Sequence, residues 1–215
     1  GLVDEILYAC MEYFPSRPLN DLLQSKPLPL SLCCAIARSV AAGLAYLHNA
    51  CDDKRQQLGL VHRDISPTNV LLGPHCQIKL GDLGLAKATQ LSDHTWGQLR
   101  KGTLAYMSPE QLAGQPVEGG SDIFSLGVVL AEMAMGRHPF AAASAVDVMD
   151  RIKSGTPDLE GVPEVLYELL SRMLSPAAPL RPSAQVVWQR LCELSPTRGP
   201  PQALWPEPET ETEEE

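Results

Sequence analysis

This 215-residue sequence has no regular cysteine framework. Its cysteines, Cys10, Cys33, Cys34, Cys51, Cys76 and Cys192, form no CxxC pair and no repeating interval, which argues against a disulfide scaffold or a zinc site. Cys33 and Cys34 lie in an apolar helical run, where cysteine serves as a small buried hydrophobe. Long apolar runs are missing too. The longest, within 123–135, is broken by Ser125 and Glu132, and it falls short of the ~20 residues that cross a bilayer. No stretch reads as a signal peptide, and no internal repeat is visible. Basic charge is scarce. The formal net charge is −9, and six of the last nine residues are Glu, so the rest of the chain is nearly neutral. Nucleic-acid binding needs a basic face, and none is expected here. These absences lead to the expectation of a soluble, cytoplasmic protein in a reducing compartment, with no membrane segment. With 44% hydrophobic and 20% charged residues, the chain is globular and long enough for one substantial core.

What the sequence does have is concentrated between Leu60 and Gly84, LVHRDISPTNVLLGPHCQIKLGDLG. Asp64, Asn69 and Asp82 stand there amid apolar residues. Val70, Leu71 and Leu72 follow Asn69, and Ile78 and Leu80 precede Asp82. Two short apolar runs around Gly73-Pro74-His75 predict a hairpin. Such a hairpin pins the loop before it against the loop after it, so Asn69 and Asp82 converge and Asp64 lies beside them. That arrangement suits phosphoryl transfer, which needs charge neutralisation and alignment more than covalent help. Mg²⁺ takes one or two protein oxygens and keeps waters and phosphates as its other ligands; Asp82 and Asn69 fit that role, and Asp64 is left to accept a hydroxyl proton. Taken singly, each of these residues is equally an ordinary turn residue. Their joint spacing is what points to chemistry.

HRDISPTN at 62–69 and GDLG at 81–84 resemble the catalytic and metal-binding loops of protein kinases. Other pieces follow in family order: SPE at 108–110, DIFSLGVVLAEM at 122–133, and Arg181 in LRPS. The polar excursion HNACDDKRQQLG at 48–59, followed by VHRD and Ser-Pro, resembles bacterial kinases of the eukaryotic-like (Hanks) type. The resemblance covers residues 5–194. It implies a mainly α fold: the C-terminal lobe of a protein kinase with short β-hairpins, most of the N-terminal lobe missing, over residues 1–194. Residues 195–215 are expected to be a disordered Pro- and Glu-rich acidic tail. Trp205 in that tail is either a docking anchor or simply exposed.

The resemblance also implies roles. ATP and Mg²⁺ are the expected cofactors and a protein is the substrate. Asp64 is the proton acceptor, and Asn69 and Asp82 are the metal ligands. Ser66 stands where most serine/threonine kinases have a Lys that contacts the transferred phosphate. Thr103, in GTLAYMSPE, matches the threonine that contacts the catalytic Asp and favours a Ser/Thr acceptor. Met11 is the gatekeeper, the Glu12 carbonyl and Phe14 N–H meet the adenine edge, and Leu71 lies beneath the ring. Asp21 either reaches a ribose hydroxyl or is a surface carboxylate. Leu83 replaces the Phe of DFG and packs beneath His62. Arg63 marks the class controlled by phosphorylation, with Thr89, Ser92 and Thr95 as candidate acceptors. Glu110 and Arg181 form a buried ion pair, and Asp122 bonds the catalytic-loop backbone near His62.

Elsewhere, residues 5–14 read as a buried strand and Pro18–Leu23 as a short helix. Residues 31–48 read as a helix capped by Ser31, with Ile36, Val40, Leu44 and Leu47 facing the core. Ile123–Met133 are apolar all round, as an enclosed helix requires, and Gly136 caps that helix. Amphipathic helices are predicted at 143–154, 163–174 and 183–194. Val146, Met149, Ile152, Leu166, Leu169, Leu170 and Met173 are read as core, and Trp188 packs in the last helix.

A complete kinase also needs a Gly-rich loop, a strand Lys and its Glu partner. None stands in these 215 residues, so this chain alone is expected to be inactive or nearly so, with those motifs encoded upstream. The alternative is a non-catalytic, pseudokinase-like binding module.

Overall fold

The computed structural model describes residues 12–23, 26–82 and 103–195, together with the backbone of 2–3 and 6–7. The hairpin between the two site loops forms as the pattern requires. Strands β1 (Leu2–Val3) and β2 (Ile6–Leu7) make a small antiparallel ladder of their own. Strand β3 (Arg17–Pro18) joins β4 (Val70–Leu72), which pairs antiparallel with β5 (Ile78–Leu80). In that register Val70 faces Leu80 and Leu72 faces Ile78, so the residues just outside the ladder, Asn69 and Gly81, come together. The continuous strand expected over 5–14 is not what forms. Among its described residues Ile6–Leu7 is strand, and residues 12–16 have no regular structure. Pro15 has no N–H to give a ladder, and the Ser16 hydroxyl turns back onto the Phe14 carbonyl at 3.0 Å.

Six helices complete the described lobe: α1 (Leu30–His48), α2 (Pro109–Leu112), α3 (Gly119–Met135), α4 (Ala145–Ser154), α5 (Glu164–Met173) and α6 (Ala184–Leu194). Helix α1 begins one residue earlier than expected and is not capped by Ser31. Pro29 is extended at the N-cap position, and its carbonyl takes the Leu32 and Cys33 N–H groups at 2.9 and 3.0 Å. A proline can occupy that position without stranding a donor of its own. By length and composition alone α1 could cross a membrane. In the lobe, however, its apolar side chains are buried against α3 and α6, as a core helix requires.

Helix α3 is the centre. Ile123, Phe124, Leu126, Val128, Val129, Leu130 and Met133 are all buried, including positions on opposite faces of the helix. It ends at Gly136, in the left-handed region with φ 69°, where a Cβ would collide with the Lys26 carbonyl carbon at 2.5 Å. Leu166, Leu169, Leu170 and Met173 of α5 join the main core, as does half-buried Trp188 of α6. A second cluster, built on Phe124, Val128, Phe140 and Ile152, lies beneath the turn Thr103–Tyr106. Val146 departs from expectation. It is 60% exposed, because only Val148, Met149 and Ile152 of α4 turn toward that cluster.

Candidate active site

The loop at residues 62–69 is held from below by α3. Asp122, in the first turn of that helix, is 1% exposed. Its Oδ2 accepts the His62 N–H at 2.9 Å and its Oδ1 accepts the Arg63 N–H at 2.8 Å. The His48 Nε2 lies 2.8 Å from the same Oδ2. Gly119 makes room for that imidazole, since a Cβ there would stand 2.8 Å from Nδ1. A carboxylate in the first turn is also favoured by the helix dipole. These bonds hold Arg63 at φ 66°, a conformation a non-glycine residue adopts only when its surroundings impose it.

Arg63 leads directly into Asp64. From there the loop closes on itself. The Asn69 Nδ2 donates to the Asp64 carbonyl at 2.8 Å, the Asn69 N–H to the Ser66 carbonyl at 3.0 Å, and the Asn69 carbonyl accepts the Gly81 N–H at 2.8 Å. The wholly buried His62 ring places its Nε2 3.1 Å from the Gly81 carbonyl. Burial pushes its pKa below the usual histidine range, outweighing the nearby Asp122. A neutral ring donating through Nε2 leaves Nδ1 with no hydrogen-bond partner among the described residues. Two tethers therefore join the loop of Asp64 and Asn69 to Gly81, and Asp82 follows at once.

Asp82 is exposed and left-handed at φ 50°. Among the described residues neither its carboxylate nor the Asn69 Oδ1 takes a hydrogen bond. A carboxylate and an amide oxygen are donors of the kind Mg²⁺ takes alongside waters and phosphates, so these two residues could hold one. Ser66 is turned inward, 2% exposed, and its hydroxyl shares a 2.9 Å bond with that of Thr68. Leu71 is half-buried on β4 and lies against Gly81. Asp21 is exposed on the turn Leu19–Asp21, which meets the loop through a 3.1 Å bond from the Asn20 N–H to the Pro67 carbonyl. The Phe14 ring lies against Gly73, and the Glu12 carboxylate meets Lys79 Nζ at 2.9 Å. Thr103 opens the turn Thr103–Tyr106. Met11, Leu83, Thr89, Ser92 and Thr95 lie outside the described residues.

A second anchor stands beside the loop. Arg181 donates from Nη1 and Nη2 to the two Glu110 oxygens at 2.6 and 2.9 Å. It also donates to the Ser175, Gly120 and Pro176 carbonyls at 2.8, 3.0 and 3.2 Å. Burial pushes the Glu110 carboxyl up, but the bonds from Arg181 and Ser121 prevail and bring it down to about 2.

Sequence reasoning missed three contributors: His48, Lys79 and Gln111. Gln111 forms a capping box with Ser108, and its Nε2 reaches the Arg63 carbonyl at 2.9 Å. The S-x-x-Q spacing announces the cap, but nothing local announces the reach.

Comparison with known proteins identifies the family. The family described as protein kinase domain matches residues 3–191. The chain is 38% identical over 175 residues, 80% of its length, to the probable serine/threonine-protein kinase PkwA of Thermomonospora curvata. It is 34% identical over 170 residues, 76% of its length, to serine/threonine-protein kinase PknL of Mycobacterium tuberculosis. It is also 32% identical over 185 residues, 83% of its length, to tyrosine-protein kinase MasK of Myxococcus xanthus. The matched region spans 22%, 41% and 29% of those three relatives. A mainly helical lobe, a short sheet under one loop pair and this family match lead to one statement: the chain belongs to the protein kinase domain family.

Proposed function

We propose that this chain is the catalytic lobe of a protein serine/threonine kinase, which transfers the γ-phosphoryl group of ATP to a protein hydroxyl. The observation that carries the reading is the double tether that brings Asp64, Asn69 and the Gly81–Asp82 step together. In this reading Asp64 accepts the proton of the acceptor hydroxyl, and Thr103 takes the part of the threonine that contacts it in the family. Asn69 and Asp82 hold Mg²⁺, which when bound neutralises charge on the phosphates. The backbone of Glu12 and Phe14 meets the adenine edge, with Met11 and Leu71 against the ring and Asp21 near the ribose. Ser66 supplies no cation to the phosphate and instead braces the loop through Thr68. A phosphate on Thr89, Ser92 or Thr95 would pair with Arg63. ATP use implies a site facing the cytoplasm, and the Pro- and Glu-rich composition of residues 195–215 is read as an acidic tail.

The test is phosphoryl transfer from labelled ATP by the whole protein that contains this chain, wild type against D64N. Loss of a positioned base predicts a fall of about 10²–10⁴-fold, with the wild-type label on Ser or Thr. Label on Tyr would overturn the acceptor class, which MasK makes a real alternative. Unchanged turnover in D64N would overturn the assignment of the base. Nucleotide binding without any transfer would replace the reading with that of a non-catalytic binding module.

A further inference from the structure

Arg63, which leads into Asp64, is gripped through the peptide on each side of it. On one side the Arg63 N–H is bound by Asp122. On the other, the Arg63 carbonyl accepts a 2.9 Å bond from the Gln111 Nε2. The orientation of that amide is fixed by its other end, where Oε1 accepts the Ser108 N–H at 3.0 Å and the Ser108 hydroxyl at 3.2 Å. Ser108 in turn caps α2 by accepting the Gln111 N–H. One half-buried side chain thus closes the cap of α2 and braces a left-handed residue 48 positions away. Helix α2 is itself fixed, since Glu110, beside Gln111, is locked to Arg181. The brace is therefore mounted on a rigid support.

We propose that Gln111 is a positioning residue: it sets the orientation of the Arg63–Asp64 peptide, and through it the Asp64 carboxylate, from the far side of the loop. Its catalytic consequence rests on the kinase reading above; its structural half does not. The two jobs of Gln111 are separable. Glu at the same position keeps an oxygen for Ser108, as in the usual capping box, and removes only the donor to Arg63. It also sets a carboxylate against that carbonyl.

The experiment compares wild type, Q111E and Q111A in two measurements. The first is the amide resonance of Asp64, whose N–H belongs to the same peptide as the Arg63 carbonyl, in the isotope-labelled chain. The second is kcat and KM for ATP in the whole protein. Q111E is expected to displace the Asp64 amide while leaving the Ser108 amide in place, and to lower kcat about fivefold to tenfold with KM for ATP unchanged, the scale of one lost hydrogen bond. Q111A is expected to displace both amides. If Q111E leaves the Asp64 amide and kcat as in wild type, Gln111 serves only its own helix and the proposal is wrong. If the wild-type protein transfers no phosphate, the kinase reading fails by itself, and the amide resonance still decides whether Gln111 holds the loop.

Discussion

Two ion pairs bracket the site, and they are built in opposite ways. Arg181 and Glu110 are 0% and 11% exposed, meet through two parallel bonds, and have further protein partners on both sides. The Arg181 guanidinium also stands 5.0 Å over the Phe124 ring. Lys79 and Glu12 are 41% and 75% exposed and share one 2.9 Å contact, helped among the described residues by the Phe14 ring 4.5 Å from the ammonium. The difference is one of desolvation. A buried charge has given up its water and depends on its partner. An exposed one keeps water as a substitute. The molecule thus places its irreplaceable pair where α2, α3 and the 175–176 turn must not move, and its replaceable pair between the segment 12–14 and the hairpin.

That contrast is tested most severely at Arg181. Replacing it with Met should destabilise the lobe by about 3–5 kcal/mol, because Glu110 is left charged and buried. Replacing both residues with apolar ones of similar size should cost clearly less than the single change. Urea unfolding of the two single variants and the double variant measures this. The pair also has a pH signature. The folded carboxyl titrates at about 2 and the unfolded one near its ordinary 4.5. Its contribution is therefore complete above pH 4.5 and is lost as pH falls toward 2.

A smaller effect is expected at His138, under the turn Thr103–Tyr106. Its Nε2 lies 3.1 Å from the Ala105 carbonyl, its ring meets Tyr106 edge-on, and burial pushes its pKa down to about 4. Between pH 6.5 and 4 the unfolded chain binds this proton and the folded one resists it. Stability should therefore fall as pH drops through that window, by about 3 kcal/mol. Glu132, which accepts from the Tyr106 hydroxyl at 2.6 Å, works the other way. Burial raises its pKa, so acid relieves it. The slope attributable to His138 is thus the difference between wild type and H138Q in urea midpoint against pH. Equal slopes in the two proteins would mean that the ring is already solvated.

What the sequence made legible follows from how far apart the interacting residues are. The hairpin was readable because β4 and β5 are adjacent in the chain and share an apolar pattern. The stripe of α5 was readable because helical spacing is local. The Glu110–Arg181 pair is 71 residues apart and came only through resemblance to a family. His48, Lys79 and Gln111 act over 74, 67 and 48 residues, and no local pattern marks their partners. Val146 shows the opposite limit. Its spacing is right for a core position, but α4 lies on the surface and buries a narrower stripe than its pattern offers.

The smallest effect is expected at Lys79, and it is the one that sharpens the contrast. Lys79→Met keeps the stem that lies along Phe14 and removes the charge. Surface pairs contribute about 0–1 kcal/mol, and salt screens them. The variant should therefore unfold within about 1 kcal/mol of wild type at low salt, and the gap should close as salt rises. A larger or salt-independent loss would mean that the cation–ring contact, not the ion pair, holds residues 12–14 against β5. The latch between residues 12–14 and β5 would then share the anchor's logic, with the Phe14 ring replacing water as the partner the ammonium cannot do without.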